Sequence, residues 1–118
     1  MSSIRRVLIK VSALRRVPVA PKDVYFLEAV GGDSLVRLRS KRPLPDVRPL
    51  GTLLEEFKPY GFLRIHRNHA VNLARIREIR RRKGSDDWEV KLEPPVNRVL
   101  PVSRGRLETL LNAFRPGQ

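Results

Sequence analysis

The sequence predicts a single, mostly β domain with two short helices. Runs in which apolar and polar residues alternate recur along the chain, as in Trp88–Leu92, and this period of two is typical of half-buried strands. Apolar residues take helical spacing in only two stretches, near residues 52–57 and 103–114. The 118 residues match the commonest size of one domain, so we expect residues 1–118 to fold as one unit.

The first half of the chain predicts short strands joined by turns. We expect these strands at Val7–Ser12, Arg15–Val19, Val24–Val30 and Val36–Arg39, with one more near Asp46–Arg48. Pro18 confines the second strand to a sheet edge, because proline cannot donate a hydrogen bond to a neighbouring strand. The third strand is apolar on both faces, which predicts a central position. Gly31–Ser34 is the predicted hairpin loop, since glycine tolerates positive φ.

The second half predicts five further strands and both helices. The strands are expected at Leu63–His66, Val71–Leu73, Ile76–Arg82, Trp88–Leu92 and Arg98–Val102. A capping box over Thr52–Glu55 opens the first helix, and Pro59 and Gly61 end it. Ser103 is expected to cap the second helix. The apolar face of that helix is expected to pack on the core, and it consists of Leu107, Leu110, Leu111 and Phe114.

The charge balance is the strongest compositional signal. Lys and Arg number 25 against 12 Asp and Glu, which gives a formal net charge of +13. The stretch Phe62–Lys83 holds eight of these cations and a single acid, Glu78. Such a concentration indicates a polyanionic partner, namely DNA, RNA or an anionic surface. Neither predicted helix carries this basic face, so we expect no helix-turn-helix and infer that loops would have to enter a groove.

The composition argues against several classes of protein. The chain has no cysteine, which excludes disulfides and thiolate chemistry and suits a reducing compartment. No run approaches the roughly 18 apolar residues of a membrane span, and the N-terminus has no signal-peptide core. We therefore expect a cytoplasmic protein without a membrane partner. We also expect no enzyme activity and no cofactor, because glycine-rich phosphate loops and ordered catalytic triads are lacking.

The stretch Phe62–Ile79 carries the most specific pattern. It reads FLRIHRNHAVNLARIREI and fits F-x-R-x-H-R-x-x-x-V-N-x-x-x-I-x-x-I, which fixes about eight positions. This pattern resembles the signature of the LytTR family of DNA-binding domains. The segments VAPKDVYFLEAVGGDSLVRL and LPVSRGRLETLL also resemble family segments. The resemblance covers roughly Arg5–Phe114. It departs from the family in the loop GGDSL, which has Ser34 or Leu35 where the family usually has a larger aromatic or polar residue.

The resemblance implies both a fold and a function. The family has an elongated, mainly antiparallel β fold whose loops enter the major groove of double-stranded DNA. Its members belong to bacterial transcriptional regulators and usually carry an upstream receiver or other sensory domain. The resemblance also implies that two copies bind head to tail on direct repeats, as a dimer on the DNA.

Five residues are candidates for reading bases. In the family, the position after the motif histidine contacts DNA, and the arginine of the late Ser-Arg pair reads bases; these positions are Arg67 and Arg104 here. Asn68 joins them because arginine pairs with guanine and asparagine with adenine. Asp33 and Ser34 lie in the loop that the family brings to DNA, where an aspartate can accept a hydrogen bond from cytosine.

Other cations are expected to contact phosphates. Such contacts position a protein on DNA without reading the base sequence. These residues are Arg37, Arg39, Lys41, Arg64, His66 and Arg106. The dense run Arg80–Lys83 is interpreted as a solvated turn and not as a base reader.

The remaining polar residues of the motif favour structural roles. His66 and His69 stand three residues apart without further ligands, so we expect no metal site. His69 is expected to face solvent. Asn72 lies between two apolar residues, which predicts a buried side chain that bonds to the backbone.

Two other functions fit the charge. A β module that binds single-stranded RNA or DNA would stack bases on aromatic residues set among cations, whereas Phe26, Phe57, Trp88 and Phe114 fall on predicted core faces. A module that binds an anionic protein or surface would show no sequence preference.

Overall fold

The computed structural model describes residues 5–39 and 42–116. In these two ranges, the strands are β1 (Val7–Ser12), β2 (Arg15–Val19), β3 (Val24–Val30), β4 (Asp33–Leu38), β5 (Leu44–Asp46), β6 (Phe62–His66), β7 (His69–Asn72), β8 (Ile76–Arg81), β9 (Trp88–Leu92) and β10 (Val99–Val102). The helices are α1 (Leu50–Phe57) and α2 (Leu107–Asn112). The predicted mostly β fold with two short helices is confirmed.

Five strands form a central antiparallel sheet in the order β5-β4-β3-β7-β6. Its middle strand is β3, as the apolar residues on both of its faces predict. Leu27 belongs to the core on one side of the sheet and Phe26 to the core on the other, and both side chains are buried. The central sheet therefore has no solvent-facing side along β3.

Two further layers cover the central sheet. The β1–β2 hairpin and α1 pack on one face, where Leu53 and Phe57 are fully buried. The three-stranded sheet β10-β9-β8 and α2 pack on the other face, where Leu100 and Leu110 are fully buried. The molecule extends 47 × 37 × 26 Å along its principal axes, which agrees with the elongated shape that the family resemblance implies.

The helix starts differ from the predicted ones. Helix α1 begins at Leu50, with Pro49 as its N-cap, and Thr52 lies inside the helix, so the predicted capping box does not form. Ser103 precedes a 3₁₀ helix over Arg104–Arg106, and its side chain makes no capping hydrogen bond. Both expectations were wrong, because α1 starts at Leu50, two residues before Thr52, and a 3₁₀ turn separates Ser103 from the start of α2 at Leu107.

The apolar face of α2 is only partly buried. Leu110 is fully buried and Leu107 is half-buried, but Leu111 and Phe114 remain 41% and 50% exposed. The prediction that all four side chains pack on the core is therefore wrong for the last two. Leu110 and Leu111 are neighbours within α2 (Leu107–Asn112), so the helix buries a narrower stripe than the spacing of its apolar residues predicts.

A buried ion pair connects β5 to the rest of the fold. Asp46 is fully buried, and Arg48 donates to it from Nε at 2.9 Å and from Nη2 at 2.8 Å. The amide of Lys10 also donates to Asp46 at 2.9 Å. Burial raises the pKa of the Asp46 carboxyl, but the hydrogen bonds from Arg48 and Lys10 outweigh it and lower the pKa overall. This carboxylate therefore joins β1, β5 and the chain that leads into α1.

None of the helices in the described ranges has the length and apolar character needed to cross a membrane.

Candidate nucleic-acid interface

Two turns lie side by side at one end of the central sheet. β3 leads into the Gly31-Gly32 turn, and it pairs antiparallel with β7, which begins directly after the Arg67-Asn68 turn. The amide of Ala29 donates a hydrogen bond to the carbonyl of Asn68 at 2.9 Å. The antiparallel register thus brings together two segments that are far apart in the sequence.

The second sheet brings two more segments to the same end. Val102, at the end of β10, pairs with Trp88 at the start of β9, and the amide of Ser103 donates to the carbonyl of Ile65 at 2.8 Å. Arg104 therefore stands beside the β8–β9 loop, where its Nη2 lies 3.3 Å from Oδ1 of Asp87. We call residues 31–33, 66–68, 82–87 and 103–106 the turn end.

The Arg67-Asn68 turn has a fixed backbone and exposed side chains. The amide of Asn68 donates to Nδ1 of His66 at 3.1 Å, and the guanidinium of Arg64 donates to the carbonyl of Arg67. The side chains of Arg67 and Asn68 face solvent. A turn that is already ordered can present its side chains to a partner with little further loss of conformational freedom.

Arg104 is the second exposed arginine that the sequence predicts as a reader. Its side chain is 77% exposed, and that of Asp87 is 51% exposed. An ion pair this open to water contributes little stability, so Arg104 can exchange Asp87 for another acceptor at small cost. Arg106 is also exposed and lies two residues along the same segment. The turn end therefore combines Arg67, Arg104 and Arg106 on neighbouring segments.

Asp33 and Ser34, which are neighbours in the sequence, differ in their exposure to solvent. Both residues belong to β4, so the hairpin turn is shorter than predicted and consists of Gly31-Gly32. Asp33 is exposed beside the turn, but Ser34 is 1% exposed and its hydroxyl donates to the carbonyl of Arg48 at 2.7 Å. Ser34 has no surface to offer a base, which corrects its expected role in reading. It fixes the chain after β5 instead.

The expected phosphate contacts are scattered. Arg64 is half-buried, and its guanidinium bonds to the turn carbonyls, so it holds the Arg67-Asn68 turn in place. Arg37 is half-buried in the middle of β4, and its buried Nε has no hydrogen-bond partner among the described residues. Arg39 lies at the far end of the sheet, where its amide donates to the carbonyl of Asp23 at 2.9 Å. Lys41 falls outside the described residues.

The two histidines of the motif differ in environment. Their ring centroids are 5.6 Å apart, and among the described residues no group of three or more potential ligands could hold a metal ion. His69 is 9% exposed, and its Nε2 lies 3.1 Å from Oε2 of Glu28. Burial lowers the pKa of His69, although Glu28 opposes this shift. The expectation that His69 faces solvent was wrong, because β7 begins at this residue and turns it toward Phe26.

Asn72 takes the structural role that its apolar neighbours predict. Its side chain is 3% exposed, and its Nδ2 donates to the carbonyl of Val24 at 2.9 Å. Its Oδ1 accepts from the amide of Ala74 at 3.0 Å. The buried, backbone-bonded Asn72 therefore ties the end of β7 to the start of β3, and the prediction is confirmed.

The sequence interpretation missed the β8–β9 loop as part of this end. Arg82 and Asp87 line a cavity of about 400 Å³ together with His66 and Arg104. The run of cations was visible in the sequence, but its place depends on the pairing of β9 with β10. A hairpin prediction for residues 88–102 would have placed this loop beside Ser103.

Comparisons with known proteins identify the family and support the fold. The family model of the LytTr DNA-binding domain matches residues 15–115. A solved structure described as a LytTr DNA-binding domain from Bacillus cereus is similar, with a TM-score of 0.73, 19% sequence identity, and coverage of 94% of this chain and 97% of that chain. At that identity, the likeness shows the fold. No curated protein matches the sequence. Because the family model covers most of the chain, this protein belongs to the LytTr DNA-binding domain family.

Proposed function

We propose that this domain binds double-stranded DNA in a sequence-specific manner, as part of a bacterial transcriptional regulator, with its turns inserted into the major groove. One observation carries the proposal. Two exposed arginines, Arg67 and Arg104, come from distant parts of the sequence and lie on neighbouring segments at one end of a rigid β scaffold. Exposed arginines on ordered turns suit bidentate pairing with guanine.

The residues of the turn end divide into two roles. In this proposal, Arg67 and Arg104 read bases, Asn68 pairs with adenine, and Asp33 accepts a hydrogen bond from cytosine. Arg106 contacts a phosphate and so fixes the orientation of the domain. Arg64 and His66 act through the Arg67-Asn68 turn, whose backbone they hold.

The family match supports a proposal about the wider setting of the domain. We propose that an upstream receiver or sensory domain controls this DNA-binding domain in a cytoplasmic regulator. The single-stranded alternative has less support, since Phe26, Phe57 and Phe62 are buried and cannot stack on bases.

Substitutions should separate readers from positioners. Arg67→Ala or Arg104→Ala should weaken binding to the specific site by about 1–3 kcal/mol and change binding to random duplex little. A base contact contributes affinity only on the specific site, where the matching base is present. Arg106→Ala should weaken binding to both duplexes about equally, since phosphates are present in every sequence. Fluorescence anisotropy with one specific and one random duplex measures these affinities.

The matched control is Arg16→Ala, which removes the same charge from outside the turn end. Arg16 is exposed, and its guanidinium bonds to the carbonyls of Ser12 and Ala13. We expect this variant to bind both duplexes as the wild type does. Equal losses on both duplexes for Arg67→Ala, Arg104→Ala and Arg106→Ala would show that the assignment of readers is wrong.

The footprint of the domain should extend over more than one groove segment. The candidate readers Asp33, Arg67 and Arg104 lie on three separate segments of the turn end, so we propose that one copy contacts two major-groove segments separated by one turn of DNA, roughly 10 base pairs. Two copies should then protect direct repeats. Hydroxyl-radical footprinting on a selected site tests this layout. Protection of a single groove of about 5 base pairs, or strict inverted symmetry, would contradict it.

A further inference from the structure

An acidic side chain lies beside one of the two proposed base readers. Oδ1 of Asp87 lies 3.3 Å from Nη2 of Arg104, and both side chains are exposed. Among the ion pairs of the described residues, Asp87 appears in this one alone, and neither Arg67 nor Arg106 appears in any. The turn end thus places a carboxylate next to Arg104, although a carboxylate repels the phosphates of DNA.

The backbone of the β8–β9 loop fixes the position of Asp87. The amide of Arg82 donates to the carbonyl of Asp87 at 2.8 Å, and the amide of Asp87 donates to Oγ of Ser85 at 3.0 Å. The amide of Ser85 donates in turn to the carbonyl of Arg82 at 3.1 Å. None of these bonds uses the Asp87 carboxylate. The loop therefore keeps this carboxylate within reach of Arg104 even when the exposed ion pair is broken.

The charge of Asp87 is less compensated than that of the nearby acid Glu89. Glu89 is half-buried, and its carboxylate lies 2.8 Å from Nε of Arg80 and 3.7 Å from Nε of Arg82. Asp87 has only the exposed guanidinium of Arg104 among the described ion pairs, and that guanidinium is the group that DNA would engage. A negative charge therefore remains beside the point where Arg104 meets DNA.

Phosphate and guanine respond differently to this charge. A backbone phosphate carries a full negative charge, whereas guanine offers the neutral acceptors O6 and N7. A phosphate bound to the guanidinium of Arg104 would lie within a few ångströms of the Asp87 carboxylate, where repulsion between full charges is appreciable at a protein surface. A guanidinium has more N–H donors than the contact with Asp87 uses, so enough remain for bidentate pairing with guanine.

We propose that Asp87 is a specificity-determining residue, which disfavours phosphate binding by Arg104 and leaves this arginine to read guanine. The inference rests on the proposed function, in which Arg104 reads a base. On random duplex, where the matching guanine is absent, a phosphate competes for Arg104 and meets the carboxylate. On the specific site, guanine takes the guanidinium and tolerates the carboxylate. Asp87 thus lowers affinity for random duplex more than affinity for the specific site.

Asp87→Asn tests the proposal, because it removes the charge and keeps the size of the side chain. The backbone bonds of the loop do not need the carboxylate, so the variant should fold. We expect affinity for random duplex to rise about three- to tenfold and affinity for the specific site to rise less. The ratio of specific to random affinity should therefore fall, and fluorescence anisotropy with both duplexes measures it.

Two controls separate this role from general charge repulsion. Asp86→Asn removes the same charge from the neighbouring residue, which is exposed and has no partner among the described ion pairs. It should raise both affinities by a similar factor and leave their ratio unchanged. In the Arg104→Ala domain, Asp87→Asn should act as Asp86→Asn does, because its effect on the ratio requires Arg104.

Three results would overturn the inference. The affinity ratio of Asp87→Asn could equal that of the wild type, or Asp86→Asn could lower the ratio as much. The effect of Asp87→Asn could also persist in the Arg104→Ala domain. Each of these results leaves the proposed DNA binding untouched, because the wild type still prefers its specific site. Equal binding of both duplexes by the wild type would instead contradict the proposed function, and the inference with it.

Discussion

Raising the salt concentration from about 50 to about 200 mM should weaken binding of this domain to duplex DNA by about a thousandfold to a hundred-thousandfold. The net charge of +13 supports neutralisation of about 6–10 phosphates, and each neutralised phosphate releases a condensed counterion. The logarithm of the association constant should therefore fall with the logarithm of salt with a slope of roughly −5 to −9. Titrations of a labelled duplex at several salt concentrations measure this slope.

Unfolding measurements at the same salt concentrations provide the control. The buried Asp46–Arg48 ion pair is screened less than exposed charges are, so we expect the fold to persist where DNA affinity has been lost. An affinity that does not change with salt, measured on folded protein, would argue against any nucleic-acid partner.

Arg48→Ala should destabilise the fold by about 3 kcal/mol, because it leaves the buried Asp46 carboxylate without its charge partner. Asp46 is fully buried, and Arg48 Nη2 lies 2.8 Å from its Oδ2. The backbone amides of Lys10 and Arg48 still donate to the carboxylate in the variant. The expected loss therefore lies near the lower end of the range of about 3–5 kcal/mol for breaking a buried ion pair. Urea unfolding gives the free-energy difference.

Two further variants isolate the cause of that loss. Arg16→Ala removes an exposed arginine and should change stability by no more than about 0.5 kcal/mol. The double substitution Asp46→Asn with Arg48→Met removes both charges, so it should recover part of the stability. A loss for Arg48→Ala no greater than that for Arg16→Ala would mean that the ion pair does not hold β5 in place.

Local pattern was sufficient to predict most of the fold. Alternation of apolar and polar residues predicted the strand Trp88–Leu92, and apolar residues on both faces predicted the central position of Val24–Val30. Both predictions succeeded because the burial of one or both faces of a strand determines which positions are apolar. Asn72 was predicted as buried because it lies between the apolar residues Val71 and Leu73.

What the sequence left open depends on contacts between distant residues. Ser34 appeared to be a loop residue because its partner, the carbonyl of Arg48, comes from the chain beyond β5. His69 appeared to be exposed because the residues that cover it, Phe26 and Glu28, lie on β3, about 40 residues earlier in the chain. The place of the β8–β9 loop beside Arg104 likewise depends on strand pairing. Residue patterns show which face is buried, but they do not show which segments meet.

Selection of bound sequences from a random duplex pool tests sequence-specific DNA binding most directly. Wild-type domain at near-physiological salt should enrich one motif in two copies of the same orientation, with guanines at the positions that Arg67 and Arg104 read. The same selection with Arg67→Ala should lose the preference at one of those positions and keep the rest. A pool that remains random after repeated selection by folded, DNA-binding wild-type protein would contradict the account, since Arg67 and Arg104 would then contact DNA without reading it.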